Sequence, residues 1–254
     1  MTATPRRALI TGASSGIGQE FARQLAAHCD EIIITGRRQE RLQQLVDTLR
    51  SQHIQADAVP ADLNSTIGIA KLVETIRQRG PFRYLVNNAG FSTLGPFTEQ
   101  QPASQEAMLS VHIQATMQLT LAALAGMQQA GCGYIINVSS LVALAPFGGL
   151  AVYGGSKAFI NNFSAALQQE VAAQDIKIQC LCPGYTRTEF HQHAAFDQFD
   201  ASSVPDALWM DPDQVVRESL AALHSESEHV MVVPGANNQA MARKLLQQQL
   251  EALG

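Results

Sequence analysis

Tyr153 and Lys157, four residues apart in Tyr153-Gly154-Gly155-Ser156-Lys157, form the pair in this chain best suited to acid–base chemistry. On a helix that spacing puts both side chains on one face. An ammonium beside a phenol stabilises the phenolate and draws its pKa down from about 10 toward working pH, as a general acid or base requires. The same pair also arises by chance on wet helix faces, so it needs company. Ser140 supplies it, because Asn137-Val138-Ser139-Ser140 ends a β-branched run and a hydroxyl there can reach the same crevice.

A second constellation lies near the start of the chain. Thr11-Gly12-Ala13-Ser14-Ser15-Gly16-Ile17-Gly18 is a glycine-rich turn between a strand-like run and a helical pattern. Glycines there allow a tight turn and let backbone N–H groups meet a pyrophosphate at the positive end of the helix. In dinucleotide folds the tip of the second strand reads the adenosine ribose, with an acid for a free 2′-hydroxyl and a base for a 2′-phosphate. Here the tip is Gly36-Arg37-Arg38, without a carboxylate. Arginines at the start of a helix oppose its dipole, so a bound phosphate explains Arg37 and Arg38 better than helix stability does. Two merely solvated arginines are the alternative. The expected cofactor is NADP(H). Asp62, in Ala61-Asp62-Leu63-Asn64, either points into the ligand crevice or caps the next helix. Asn88, Ala89 and Gly90 follow the fourth strand, where small and amide residues allow close contact with a cofactor or satisfy a turn.

The elements that must hold these groups alternate. β-Branched runs at 8–11, 31–35, 54–60, 84–87, 134–139, 177–182 and 230–233 predict seven strands. Between them, apolar residues three and four apart predict helices at 17–28, 39–51, 67–78, 102–130, 152–173 and 212–223, with a last polar helix at 239–250. That alternation implies an α/β doubly wound fold of the Rossmann kind, a mostly parallel sheet with helices on both faces, in a single domain over 1–254. The stretch 185–210 lacks periodicity and is expected to be a substrate loop.

Composition excludes several classes. The net charge is −5 and no Lys/Arg-rich run occurs, which argues against nucleic acid. No uninterrupted apolar run reaches the length of a membrane span, and no apolar leader precedes the first strand, so a cytoplasmic protein without membrane association is expected. Cys29, Cys132, Cys180 and Cys182 fit neither a disulfide framework nor a zinc site, and Cys180 and Cys182 read as small core residues on one strand face. His191 and His193 form His-x-His without a third ligand at a usual spacing, so no metal is expected.

Thr11-Gly12-x-x-x-Gly16-x-Gly18, Asn87-Asn88-Ala89-Gly90, Ser140, Tyr153-x-x-x-Lys157 and Pro183-Gly184-x-x-x-Thr188 occur in one order and spacing, and with them the chain resembles the short-chain dehydrogenase/reductase family over nearly its whole length. The resemblance implies that Tyr153 donates a proton to a carbonyl oxygen while NADPH delivers hydride to its carbon, with Ser140 hydrogen-bonded to the same oxygen. Lys157 would hold the nicotinamide ribose and depress the Tyr153 pKa. The cofactor would lie along Gly12, Ser14, Ser15, Gly16, Ile17, Gly18, Leu63, Asn88, Ala89, Gly90, Pro183, Gly184 and Thr186. Thr188 would contact its carboxamide or phosphates, Asp62 its adenine, and Arg37 with Arg38 its 2′-phosphate. One departure stands out: where the family carries an asparagine that completes a water-linked relay with the lysine, this chain has His112 in Leu109-Ser110-Val111-His112-Ile113. Either His112 keeps the relay and adds a pH dependence near neutrality, or it is a satisfied buried histidine.

Phe91, Leu94, Phe97, Leu141, Leu144, Phe147, Leu150, Tyr185, Phe190, Phe196, Phe199 and Trp209 occupy stretches that face substrate in the family. They favour an apolar ketone or aldehyde. Gly126-Met127-Gln128-Gln129-Ala130 carries no charge and the loop holds Asp197, Asp200 and Asp206 beside Arg187, which makes an acidic carrier protein a poor partner. A 3-oxoacyl-type ketoreductase remains an alternative, as does a dinucleotide-binding sensor without chemistry. Helices 102–130 and 152–173 pair between subunits in relatives, so a homodimer or homotetramer is expected.

Overall fold

The structure, a computed structural model, describes residues 5–192 and 199–253. Strands β1 (Arg7–Thr11), β2 (Glu31–Thr35) and β3 (Gln55–Ala58) alternate with helices α1 (Gly16–Leu25), α2 (Gln39–Ser51) and α3 (Thr66–Arg79). After β4 (Tyr84–Asn87) one long helical stretch runs from α4 (Pro102–Leu109) through a π-turn (Ser110–Ala115) into α5 (Thr116–Ala130). Then come β5 (Cys132–Val138), α6 (Ala151–Glu170), β6 (Asp175–Leu181), the two-residue strands β7 (Tyr185–Thr186) and β8 (Trp209–Met210), α7 (Pro212–His224), β9 (Met231–Val232) and α8 (Ala236–Glu251).

Seven strands form one sheet in the order β3-β2-β1-β4-β5-β6-β9, and every neighbouring pair in it is parallel. The central strands β1, β2 and β4 are buried almost throughout and carry consecutive apolar residues because both faces are covered, whereas the edge strand β3 (Gln55-Ala56-Asp57-Ala58) is only partly buried. Along β1, Ala8 and Ile10 enter one core and Leu9 the other; along β2, Ile32 and Ile34 divide from Ile33 in the same way. The first core is closed by α1, α2 and α7 through Phe21, Leu42 and Val216, the second by α3 and α5 through Leu72 and Leu119. The order reverses between β1 and β4, and a crevice at the carboxyl ends of the strands follows from that reversal.

The predicted elements fall in place with shifted ends. The helix expected at 102–130 is broken by the π-turn, which apolar spacing cannot register because the stretch stays helical. That stretch is long and apolar enough to cross a membrane by composition, yet half of its most apolar window is buried inside the fold. The last helix begins earlier than expected, at Ala236, and packs Ala242, Met241 and Leu245 on Leu141 and Leu144. The ends of the 185–210 stretch are pinned together, since β7 pairs with β8 in a small second sheet. Cys180 and Cys182 are buried beside Ile160, free, with Sγ atoms 3.9 Å apart.

Candidate active site

Thr11, at the end of β1, ties the glycine-rich turn to β4. Its Oγ1 accepts the N–H groups of Asn88 and Ala89, both at 2.9 Å, and Asn88 Nδ2 donates back to the Thr11 carbonyl at 2.8 Å. The turn tolerates nothing larger than glycine. A Cβ on Gly18 would fall 2.3 Å from Asn88 Nδ2, and Gly12 has φ of 67°, which L side chains rarely adopt. Ser15 stands at the N-cap of α1 but makes no capping bond, so the first amides of that helix have no side-chain partner. A phosphate group fits this cradle by geometry and by the helix dipole.

Arg38 is anchored on the cradle. Its Nε donates to Ser14 Oγ at 3.1 Å, and its Nη2 to the Ser14 carbonyl at 3.2 Å and Ser15 Oγ at 2.6 Å. Its Nη1 meets Glu189 at 2.6 Å, while Arg41 reaches the other oxygen of that carboxylate at 2.5 Å. Arg37 is exposed and, among the described residues, has no hydrogen-bond or ion-pair partner. Asp62 does not cap α3: its carboxylate accepts the Asn64 N–H at 3.0 Å, and Ser65 is the cap, accepting from Gly68 N at 3.3 Å.

Helix α6 carries Tyr153 and Lys157, both buried, to the carboxyl end of β5. Lys157 Nζ donates to the Val138 carbonyl at 2.9 Å and lies 5.7 Å from the centre of the Tyr153 ring. Ser140 begins the short helical turn after β5, its Oγ accepting the Val142 N–H at 3.2 Å. Burial pushes the Tyr153 phenol up to about 12, with the Ser140 hydroxyl pulling the other way. Burial also pushes the Lys157 ammonium down to about 8. The net shift is upward, opposite to the depression expected from the Tyr/Lys spacing, because burial is the largest influence on the phenol. A phenol in this state keeps its proton through neutral pH.

His112 projects from the π-turn toward the same place and is 2% exposed. Its Nε2 accepts the Phe91 N–H at 3.2 Å, and its Nδ1 lies 2.8 Å from Ser156 Oγ. Since Ser156 Oγ donates its own proton to the Tyr153 carbonyl at 2.7 Å, it must accept from His112, which fixes the neutral Nδ1–H tautomer. Burial and the nearby Lys157 charge hold the imidazole well below its ordinary value. Of the two readings of His112, these contacts match the satisfied buried histidine. Gly90 makes the close approach possible: a Cβ there would lie 2.9 Å from His112 Nε2 and 3.5 Å from Lys157 Nζ.

The remaining residues expected along the cofactor differ in how deeply their side chains are buried. Ile17 packs against the first core and Leu63 is buried in the second. Thr186 is buried with its hydroxyl on the Gly184 carbonyl at 3.2 Å, and Gly184 itself presses on Asn238 of α8. The Pro183 carbonyl accepts the Leu141 N–H at 3.0 Å, joining the β5 and β6 ends. Thr188 lies against Gly16, where a Cβ would come within 2.9 Å of its methyl group. Phe190 stands 6.1 Å from the Tyr153 ring, and Tyr185, His191, Phe199 and Trp209 form an aromatic cluster behind it. Phe97 and Phe147 are instead exposed, and Leu141 and Leu144 are core. His193, Phe196 and Asp197 lie outside the described residues; among the described residues no group of three metal-ligating side chains occurs. Sequence reasoning missed Ser156, Arg41 and Glu189. The first was visible inside the Tyr/Lys motif, but the other two meet only through the fold.

The sequence profile of the short chain dehydrogenases matches residues 6–198. Ketoacyl reductase HetN from Nostoc sp. is 32% identical over 185 residues, a match spanning 72% of this chain and 64% of that protein. A solved short-chain dehydrogenase from Sphingobium yanoikuyae, in complex with NADPH, superposes with a TM-score of 0.84 at 29% identity, covering 97% of this chain and 95% of its own. An alcohol dehydrogenase specific for bulky-bulky ketones from Comamonas testosteroni reaches a TM-score of 0.80 at 27% identity, covering 98% of this chain and 95% of its own.

Proposed function

Because the chain belongs to the short-chain dehydrogenase family, we propose that it is an NADP(H)-dependent carbonyl reductase and alcohol dehydrogenase acting on an apolar ketone or aldehyde. The observation that carries this reading is the burial of Tyr153 and Lys157 together, with Ser140, at the carboxyl end of β5 in the middle of the sheet. When bound, NADPH supplies the hydride to the carbonyl carbon. Tyr153 holds its proton at neutral pH and gives it to the carbonyl oxygen, which Ser140 orients with a hydrogen bond. The Lys157 ammonium stabilises the negative charge that then develops on the phenol. In the oxidative direction Tyr153 receives the alcohol proton.

Arg37, Arg38 and Ser14 are the groups that would hold a 2′-phosphate, and the NADPH bound in the Sphingobium relative supports that choice. Phe190 against Tyr153 supports an apolar substrate, as does the ketone specificity of the Comamonas relative. The name of the Nostoc relative favours a second reading, reduction of a 3-oxoacyl substrate. On the outer side of the 102–130 stretch, Met117 and Leu121 are 44% and 74% exposed, which supports pairing of that face between copies in a homo-oligomer.

Loss of reduced-nicotinamide absorbance, followed with NADPH and NADH against aryl ketones, aliphatic aldehydes and a 3-oxoacyl thioester, tests the reading. NADPH-dependent turnover of the apolar carbonyls that disappears in Tyr153→Phe is the expected result. Tight NADPH binding with no turnover of any carbonyl would make the chain a sensor.

A further inference from the structure

The segment that follows β7 places a carboxylate, Glu189, where the proposed cofactor needs its phosphate. Arg38 and Arg41 stand at the start of α2, where cations oppose the helix dipole, and Glu189 bridges them from about 150 residues away along the chain. Arg38 has already committed Nε and Nη2 to Ser14 and Ser15. Its remaining nitrogen, Nη1, is the one Glu189 holds at 2.6 Å. A phosphate seated beside Ser14 can meet Arg38 Nη1 and Arg41 Nη1 only by displacing that carboxylate. The two side-chain neighbours of Glu189 in sequence tie the exchange to the rest of the site: Thr188 packs on Gly16 of the cradle, and Phe190 lies 6.1 Å from the Tyr153 ring.

We propose that Glu189 is a specificity-determining residue, an internal occupant of the Arg38–Arg41 seat that the 2′-phosphate of NADP(H) displaces, shifting Phe190 and the Tyr185–Thr186 end of its segment as it leaves. The inference rests on the NADP(H) reading given above. A 2′-phosphate brings close to two negative charges against one for the carboxylate, so the exchange favours the phosphorylated cofactor. NADH carries nothing that competes for the seat, and it leaves Glu189 in place.

Trp209 is the one tryptophan of the chain and lies against Tyr185 and, at 5.5 Å, Arg187, both in the segment that leads to Glu189, so its fluorescence reports a shift of that segment. Adenosine 2′,5′-bisphosphate and 5′-AMP, neither carrying nicotinamide, are titrated into the wild type, Glu189→Gln and Arg38→Ala. In the wild type the bisphosphate is expected to change Trp209 emission and 5′-AMP to leave it unchanged. Glu189→Gln should show the altered emission without ligand and bind the bisphosphate about three- to tenfold more tightly, the worth of one or two exposed ion pairs. Its affinity for 5′-AMP should stay within about twofold. Wild-type preference for the bisphosphate, lost in Arg38→Ala, with affinity in Glu189→Gln unchanged or weaker, overturns the role of Glu189 alone. Equal binding of both nucleotides by the wild type overturns the NADP(H) reading, and the inference with it.

Discussion

Protonation of His112 is the perturbation on which the structure makes its sharpest demand. The ring is 2% exposed, with Nδ1–H given to Ser156 and Nε2 taking the Phe91 N–H. A proton on Nε2 would turn an acceptor into a donor facing another donor. Losing the Phe91 bond and leaving that amide buried costs about 1–3 kcal/mol. The cation would also sit in a low-dielectric site beside the Lys157 ammonium, and both effects act in the direction that lowers the pKa. The rate of carbonyl reduction, as kcat/KM between about pH 5.5 and 7.5, where an ordinary imidazole titrates, is therefore expected to show no acid limb. His112→Asn should leave the shape of that profile unchanged while lowering its height, because the shorter amide cannot bridge Phe91 and Ser156 together. His112→Ala should cost about 2–5 kcal/mol of stability in denaturant, from the orphaned amide plus the cavity. An acid limb centred near 6.5 in the wild type that vanishes in His112→Asn would refute the reasoning and restore the histidine as a titrating relay.

Lys157, pushed down to about 8, is charged below that pH and neutral above it, so the reduction rate should hold level at neutral pH and fall as pH rises through about 8; a plateau persisting to about pH 10, the range of an unperturbed lysine, would contradict this. Tyr153→Phe removes the proton donor and leaves the ring in its packing, so turnover should drop about 100- to 10,000-fold with an unchanged circular dichroism spectrum. Gly68→Ala would drive a Cβ to 2.0 Å from the Asp62 carbonyl, backbone that has little room to yield, and should cost about 1–3 kcal/mol in urea unfolding.

The fold was legible because its signals are local and repeated. Ile32, Ile33 and Ile34 read as a doubly buried strand from composition alone, and the turn from Thr11 to Gly18 announces both a tight bend and a close approach. Tyr153, Lys157 and Ser140 were legible for a related reason: they stand at strand and helix ends whose place in an alternating chain sets where they converge. What escaped depends on environment or on distance. The Tyr/Lys spacing gives the direction in which an ammonium moves a phenol, but the sign of the net shift depends on burial, which spacing does not contain; here burial carries the phenol up to about 12. The π-turn changes which residue faces inward without ending the helix, so the side chain that reaches Phe91 and Ser156 could not be read from a 3.6-residue period.

The ion pairs of Glu189 show the second limit most plainly. Arginines at the start of α2 are locally unfavourable, and that conflict is visible in Gly36-Arg37-Arg38 without any structure. A local violation of helix electrostatics demands an anion, but it does not say which one. The sequence pattern offers a cofactor phosphate; the folded chain offers a carboxylate of its own, brought across the mouth of the cleft by the segment that begins at β7. The two candidates need not exclude each other. A seat for a 2′-phosphate would gain from a weaker resident anion, since the arginines stay paired without ligand and the segment carrying Glu189 would register what replaces it. Charge reversal discriminates this view from simple surface pairing. Arg41→Glu should repel Glu189 and the bisphosphate alike, altering Trp209 emission without ligand and weakening the bisphosphate by about tenfold or more. If emission and affinity both stayed at wild-type values, the pairing of Arg41 with Glu189 would be a solvated contact with no bearing on the cleft.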